Sequence, residues 1–391
     1  MMLLLDATHT SHTRAQTGIQ RVTRALFAEL GATDGVTAVC YDPYLRGWRP
    51  LNRDETSNLQ PREIAGASRG ARWSLAQKIT GHASRLTGRR RALPDNSGLV
   101  CPELFSAKVG AHYPELFAAV RGPRVATFND AIALRYPELT PSATVARMPA
   151  YLRELLQFDG IAAISEDSAA ALRDYWRWLG VTKTPPVQGI PLGVDPVPQD
   201  TPPSSAPSGP PTLLYVSTIE GRKNHAALLD ACEMLWREGQ VFRLELIGLA
   251  RPDTAAAALR RIERLQAFGR PLAYHGVAPA SEVAAAYRRC AFTVYPSLAE
   301  GFGLPVFESL SYGKPGVCSA HGAMGEAARG GGCLTVDRVD ALPLAAAIRS
   351  LLTEPARLAT LTAEAARRPI RTWRDYAADL RSWMRSLPHR G

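Results

Sequence analysis

Short apolar runs bounded by polar turns alternate along the chain with longer stretches in which apolar residues recur every three to four positions. The first run, Leu3-Leu4-Leu5-Asp6, predicts a buried strand; after a polar loop through Thr17-Gly18, the pattern from Ile19 to Leu30 predicts a helix. Runs at Gly98 to Cys101, Arg124 to Phe128 and Gly160 to Ile164 read as parallel strands, apolar on both faces. Residues 1–195 are thus expected to form a Rossmann-like domain. From 196 to 211 the sequence reads PVPQDTPPSSAPSGPP, and seven prolines in sixteen residues suit neither a helix interior nor a central strand, so this is a linker. The alternation then restarts, with strands expected near Thr212 to Ile219, Phe242 to Leu249 and Ala291 to Tyr295, giving a second Rossmann-like domain over 212–370. Within 371–391, Thr372-Trp373 and the amphipathic pattern from Asp375 to Leu387 predict a final helix.

A length of 391 residues accommodates two such α/β domains, and 46% hydrophobic with 21% charged residues is a globular composition. The six cysteines form no CxxC pair and have no histidine at zinc-finger spacing, which argues against a disulfide framework or structural metal and for buried thiols in a reducing compartment. Met1 to Leu5 is too short for a signal-peptide core and no run of eighteen apolar residues occurs, so a cytoplasmic protein is expected.

The net charge of +10 is unevenly placed: residues 49–91 hold ten Arg/Lys against Asp54, Glu55 and Glu63, a local +7. This segment is read as a basic insertion. Within 66–88, Trp73, Ala76, Ile79, Ala83 and Leu86 fall at helical spacing among Arg72, Lys78 and Arg85, with Arg89 just beyond. A basic amphipathic helix touching a membrane or lipid-linked acceptor through 66–91 is one reading; a surface helix or loop with solvated arginines is the other. Nucleic-acid binding would predict steeply salt-dependent affinity for duplex and is not the expected role.

The segment with the most chemistry is YPSLAEGFGLPVFESLSYGKP, residues 295–315, where Glu300 and Glu308 stand on either side of a Gly-Phe-Gly-Leu-Pro turn. Gly301 and Gly303 allow close approach of backbone to a ligand, and Pro305 suits a helix first turn. On one helix the carboxylates would lie about 12 Å apart, so a loop position plus a helix position better explains one ligand held at two points. Upstream, LLYVSTIEGRKNHAALLDA at 213–231 places Arg222 and Lys223 at a strand-turn-helix junction, where two cations and helix amides can meet an anion.

These segments resemble the E-x7-E and Arg-Lys-Asn regions of the retaining GT-B glycosyltransferases called group 1 or family 4. The order of Ser165-Glu166, PLGVD at 191–195, the strand Arg243 to Gly248, and Glu326 in HGAMGEAA agrees, so that about 240 residues, from Phe128 to Pro369, follow the family pattern. The resemblance implies an α/β GT-B fold: two Rossmann-like domains facing across a cleft, residues 1–195 taking the acceptor and 212–370 the nucleotide sugar, with the C-terminal helix crossing back to the first domain. It implies that Glu300 and the amides of Gly301, Phe302, Gly303 and Leu304 hold the donor sugar, Glu308 the ribose hydroxyls, and Arg222 and Lys223 the diphosphate. Many family members carry a further Arg where this chain has Ser217. Gly221 stands where the similar loop of bacterial surface-polysaccharide mannosyl- and related transferases has proline.

In the first domain Thr17-Gly18-Ile19-Gln20-Arg21 resembles the family's glycine loop, making Gly18 the contact to the donor phosphates. Phe128-Asn129-Asp130 stands where many relatives read His-Asp, which leaves Asp130 as an acceptor-side group or a helix cap. His9 and His12 in the preceding loop are read as solvated residues, with acceptor contact as the alternative, and not as metal ligands. Cys318 reads as packing, with no companion base to make it a nucleophile. No D-x-D triplet occurs, so no metal or cofactor is expected beyond the GDP- or UDP-linked donor. The expected function is retaining, metal-independent transfer of a hexose, mannose among the candidates, to a saccharide or lipid-linked saccharide. The setting expected is bacterial surface polysaccharide synthesis on the inner face of the cell membrane. The alternatives are a GT-B sugar-nucleotide epimerase and a non-catalytic nucleotide-sugar-binding protein.

Overall fold

The computed structural model describes residues 2–33, 35–60, 70–88, 91–195, 197, 209–252 and 254–388. The chain forms two compact units: Met1–Ala131 with Ala143–Gly193 and Trp373–Gly391, and Ile132–Ser142 with Val194–Thr372. The segment Ile132–Ser142, expected within the first domain, thus belongs to the second unit. Of the 196–211 linker only Val197 and 209–211 are among the described residues, and residues 61–69 and 89–90 of the basic insertion also lie outside them.

The first unit is built on strands β1 (Leu3–Asp6), β2 (Val36–Asp42), β3 (Gly47–Pro50), β4 (Leu99–Cys101), β5 (Arg124–Phe128), β6 (Gly160–Ala163) and β7 (Val187–Gly189). Their spatial order is β3-β2-β1-β4-β5-β6-β7, parallel except for the antiparallel pair β2–β3. Strands β1, β4, β5 and β6 fall on the apolar runs picked out above. β7 has no such run: its three residues, including an exposed Gln188, hold their place by pairing with β6.

Helix Trp373–Ser386 belongs to this same unit and packs on helix Gly18–Thr33, so the chain returns to the domain it started from. Trp373, Tyr376, Leu380 and Met384, spaced three to four residues apart, form its buried stripe. A side chain at Gly160 would meet Leu387 and Trp383 at 2.7 Å, so the glycine lets this C-terminal segment lie against β6.

The second unit holds β8 (Thr212–Val216), β9 (Arg243–Ile247), β10 (Leu272–Tyr274), β11 (Phe292–Tyr295), β12 (Gly316–Ser319) and β13 (Cys333–Val336), all parallel, in the order β10-β9-β8-β11-β12-β13. Its core joins Leu213, Leu244, Leu246, Phe292 and Val317 of the sheet to Leu228 and Leu235 of helix His225–Arg237 and Leu344 and Ile348 of helix Ala341–Thr353. Each such side chain contributes about 1.5–3 kcal/mol on full burial. In both sheets the winding reverses between the first strand and its later neighbour, β1 with β4 and β8 with β11. Loops leaving the carboxyl ends of two such strands diverge and open a crevice, the usual ligand position in doubly wound sheets.

Candidate active site

In the second unit the loops leaving β8 and β11 carry the motif residues. After β8 the chain makes a single turn at Gly221–Lys223 and enters helix His225–Arg237. Asn224 makes that junction possible: it sits in the left-handed region at φ 55°, which asparagine tolerates better than most residues, and its Nδ2 donates to the Val339 carbonyl at 2.8 Å. The Arg222 carbonyl accepts from the Leu298 amide at 2.8 Å, tying this turn to the loop after β11.

Across that tie the charges meet. Arg222 Nη1 donates to Glu300 Oε2 at 2.8 Å and to the Ala299 carbonyl at 3.1 Å, its Nε reaches Glu220 at 2.8 Å, and Lys223 forms an ion pair with the other Glu300 oxygen. Burial pushes the Glu300 carboxyl up, but Lys223 and Arg222 outweigh it and hold it at about 2. Burial also lowers the Lys223 ammonium from its ordinary value, against the pull of Glu300. Glu300 is therefore a fixed anion locked between two cations.

Buried hydroxyls support this cluster from below. Tyr215 OH donates to the Lys223 carbonyl at 2.8 Å and lies 3.4 Å from Ser297 Oγ, which in turn bonds Glu300. The His225 ring stacks on Tyr215 at 4.6 Å and its Nε2 is 3.4 Å from Ser217 Oγ. Burial and the Lys223 charge push His225 down to about 3, so a neutral imidazole stands beside the Ser217 hydroxyl.

Beyond Glu300 the Gly-Phe-Gly turn leads into helix Leu304–Ser311, with Pro305 in its first turn. Gly303 caps it at φ 93°, a conformation that costs about 1–3 kcal/mol for other residues. A side chain there would also press on Met324 and Ala327 of helix Gly322–Ala328, which carries Glu326. Phe302 is buried and stacks on Phe307 at 4.8 Å. Glu308 lies within the helix, where Tyr287 OH donates to its Oε2 at 3.2 Å and sits 3.3 Å from Tyr295 OH. The two glutamates thus occupy a loop and a helix, as their spacing suggests. Cys318 is buried in β12; contact with Cys333 and burial push its thiol up.

The first unit has its own polar arrangement between β1 and β4. Glu103, just past β4, accepts from the His9 and Thr10 amides at 2.7 and 2.8 Å, while Asp6 accepts from the Thr8 amide at 2.9 Å and from Tyr113 OH at 2.7 Å. Burial, then the Asp6 charge, push the Glu103 carboxyl up to about 7. Arg24 of helix Gly18–Thr33 donates to the Thr13 and Ala15 carbonyls at 3.1 and 2.7 Å, fixing the loop that leads to Gly18, the first residue of that helix. Asp130 follows β5 in this unit, and the neighbouring Asn129 carbonyl accepts from Ser168 Oγ at 2.9 Å. Gly18 and Asp130 are thus carried by the first unit, and Arg222, Lys223, Glu300 and Glu308 by the second.

The reading of His12 as solvated is corrected by the structure. Its ring is buried, stacked on Trp73 at 3.7 Å, with Nε2 3.1 Å from Glu55. Among the described residues, His12, Cys40 and Glu55 bring three ligand-type atoms within 4.8 Å of one another. Glu55 also accepts two bonds from Arg49 at 2.7 Å, one from the Asn52 amide and one from Gln77 at 2.8 Å, so a guanidinium already meets that charge. Asp6, Glu103, Tyr215 and Tyr287 were not singled out in the sequence: Asp6 and Glu103 meet partners 107 and 94 positions away, while Tyr215 and Tyr287 act through hydroxyls on otherwise apolar, buried positions. For Asp6 the signal available was a polar residue at the end of an apolar run.

Residues 197–368, which lie within the second unit, match the family model described as glycosyl transferases group 1. The chain is 27% identical over 344 residues to the serotype-specific mannosyltransferase WbdA of Escherichia coli, covering 80% of this chain and 38% of WbdA. It is 34% identical over 188 residues to the D-inositol 3-phosphate glycosyltransferase of Thermobispora bispora, covering 44% of this chain and 42% of that protein. The chain thus spans about two fifths of the length of these relatives. Among solved structures, Anabaena HepE in complex with UDP and glucose superposes with a TM-score of 0.68 at 17% identity over 99% of both chains. Sucrose-phosphate synthase from Thermosynechococcus elongatus does so at 0.68 and 20% identity over 98% of both. The fold is that of GT-B glycosyltransferases.

Proposed function

We propose that this chain is a retaining glycosyltransferase that moves a hexose from a nucleotide diphosphate sugar to a saccharide or lipid-linked saccharide. The observation that carries the reading is the junction of Arg222, Lys223 and Glu300 at the β8/β11 reversal, with Glu308 one helix further on. Arg222 and Lys223 take the diphosphate and stabilise the leaving nucleotide as negative charge develops. Glu300 and the 301–304 backbone hold the sugar, and Glu308 holds the ribose. Gly18 and Asp130 serve the phosphates and the acceptor from the first unit. With charges fixed in this way, the enzyme's contribution is positioning and electrostatics, without a metal ion.

The match to WbdA supports mannose as the sugar and surface polysaccharide assembly as the setting; HepE, bound to UDP and glucose, keeps UDP as the other candidate nucleotide. A cytoplasmic site of action with peripheral membrane contact through the basic segment suits a lipid-linked acceptor. Among the described residues no helix is long and apolar enough to cross a membrane.

The test is a thermal-shift panel of GDP, UDP, their sugar conjugates and divalent ions with the wild type, Glu308→Ala and Lys223→Ala, followed by product analysis. Binding of one nucleotide sugar raises apparent stability by mass action. Stabilisation without added metal, lost in both variants, together with sugar transferred to an acceptor, supports the proposal. Stabilisation without any product would instead fit a nucleotide-sugar-binding protein.

A further inference from the structure

Helix Leu75–Thr87 wears its amphipathic pattern inside out. It begins with a capping box in which Ser74 and Gln77 exchange bonds. The side it turns to the protein is small and polar: Gly81 is buried so tightly that a Cβ there would lie 2.7 Å from Tyr44 Cβ. On the same side Gln77 Nε2 donates to Glu55 at 2.8 Å. The opposite side carries Leu75, Ile79 and Leu86, which are 72%, 60% and 88% exposed. Spacings of four and seven place these three on one stripe. A helix held only by its own unit would bury that stripe and expose Gln77.

Cations edge the stripe on one side. Lys78, one turn after Leu75, and Arg85, next to Leu86, lie along one edge; Arg85 is exposed, Lys78 is half-buried with its Nζ 5.9 Å from the centre of the Tyr44 ring, and Arg72 and Arg91 are exposed before and after the helix. The parent segment 49–91 carries a net +7. Separate aliphatic side chains along about 17 Å of helix, edged by basic residues, match the boundary between headgroups and acyl chains of an anionic bilayer.

We infer that the Leu75/Ile79/Leu86 face of this helix inserts into anionic bilayers, with Lys78 and Arg85 on the headgroups. The inference rests on the peripheral-contact part of the proposed function and names the atoms that would make it. Vesicle binding needs no turnover, so its outcome is separate from that of the transferase reading.

The experiment is co-sedimentation of the full chain with phosphatidylcholine vesicles, with and without phosphatidylglycerol, at low and high salt. Wild type should pellet with the anionic vesicles and be released by salt. Leu75→Ser/Ile79→Ser/Leu86→Ser should lose about tenfold or more in vesicle affinity. Lys78→Glu/Arg85→Glu should lose at least about tenfold, since each surface cation is worth about fivefold. Both variants should keep the wild-type melting temperature and nucleotide-induced stabilisation. Equal pelleting with neutral and anionic vesicles, no pelleting, or variants that pellet like wild type would overturn the inference. So would wild-type dimers in sedimentation equilibrium that dissociate in the triple variant without any change in vesicle binding, which would assign the stripe to a second copy of the chain.

Discussion

Arg222 Nη1 and Glu300 Oε2 stand 2.8 Å apart although 78 residues separate them, and Lys223 closes on the other oxygen of the same carboxylate. The cation pair and its anion are therefore set before any ligand is considered, which is the condition for electrostatic preorganisation.

If Arg222 and Lys223 hold the diphosphate as proposed, removing Lys223 takes away one of its two cations and leaves Glu300 with Arg222. Hydrogen bonds to charged groups contribute about 1.5–3 kcal/mol, so Lys223→Ala should weaken nucleotide diphosphate binding roughly tenfold to a hundredfold. Calorimetric titration with GDP and UDP measures this directly; unchanged affinity for both would remove Lys223 from the phosphate site.

The Tyr215 hydroxyl has no expected contact with substrate, yet it holds the Lys223 carbonyl. Tyr215→Phe leaves that buried acceptor unmet and should cost about 1–3 kcal/mol in denaturant unfolding. As a positioning change it should lower kcat for transfer while donor affinity falls less than in Lys223→Ala. A loss of stability with kcat intact would confine Tyr215 to the core.

At Gly303, alanine must adopt φ 93° against Met324 and Ala327. The expected destabilisation is about 1–3 kcal/mol, read as a lower melting temperature. A fall in donor affinity should accompany it, because the turn aims the 301–304 backbone. A variant as stable and as active as wild type would refute the strain argument.

The buried Glu103 gives a pH signature with a definite sign. Its carboxyl titrates near 7 in the folded protein against an ordinary 4.5, so the folded state holds a proton that the unfolded state has lost between those values. Stability from this group is intact below about pH 4.5 and declines as pH rises toward 7, by about 3 kcal/mol at 1.36 kcal/mol per unit. Glu103→Gln should flatten that part of the stability profile. A parallel profile in the variant would show that other groups carry the slope.

Much of the scaffold was legible because the apolar runs are local: β1 and β5 have the bounds read from the sequence, and the Gly-Phe-Gly-Leu-Pro turn announced a loop glutamate followed by a helical one. β7 escaped because three residues with an exposed centre depend on a neighbouring strand. His12 was misjudged for the same kind of reason, since the groups that bury it, Glu55 and Trp73, arrive much later in the chain. Glu103 reaches back 94 residues to the His9 amide, a relation that no local window contains.

The return of helix Trp373–Ser386 to the unit that begins with β1 has a consequence for synthesis on the ribosome. Residues 194–372 emerge as a nearly continuous block and can settle while translation continues. The earlier-made sheet must wait, its flank along Gly160 and helix Gly18–Thr33 uncovered, until helix Trp373–Ser386 has been made. The second unit therefore matures ahead of the first, and a transcript cut short before residue 373 would leave the earlier-made unit, and not the later one, in need of a chaperone.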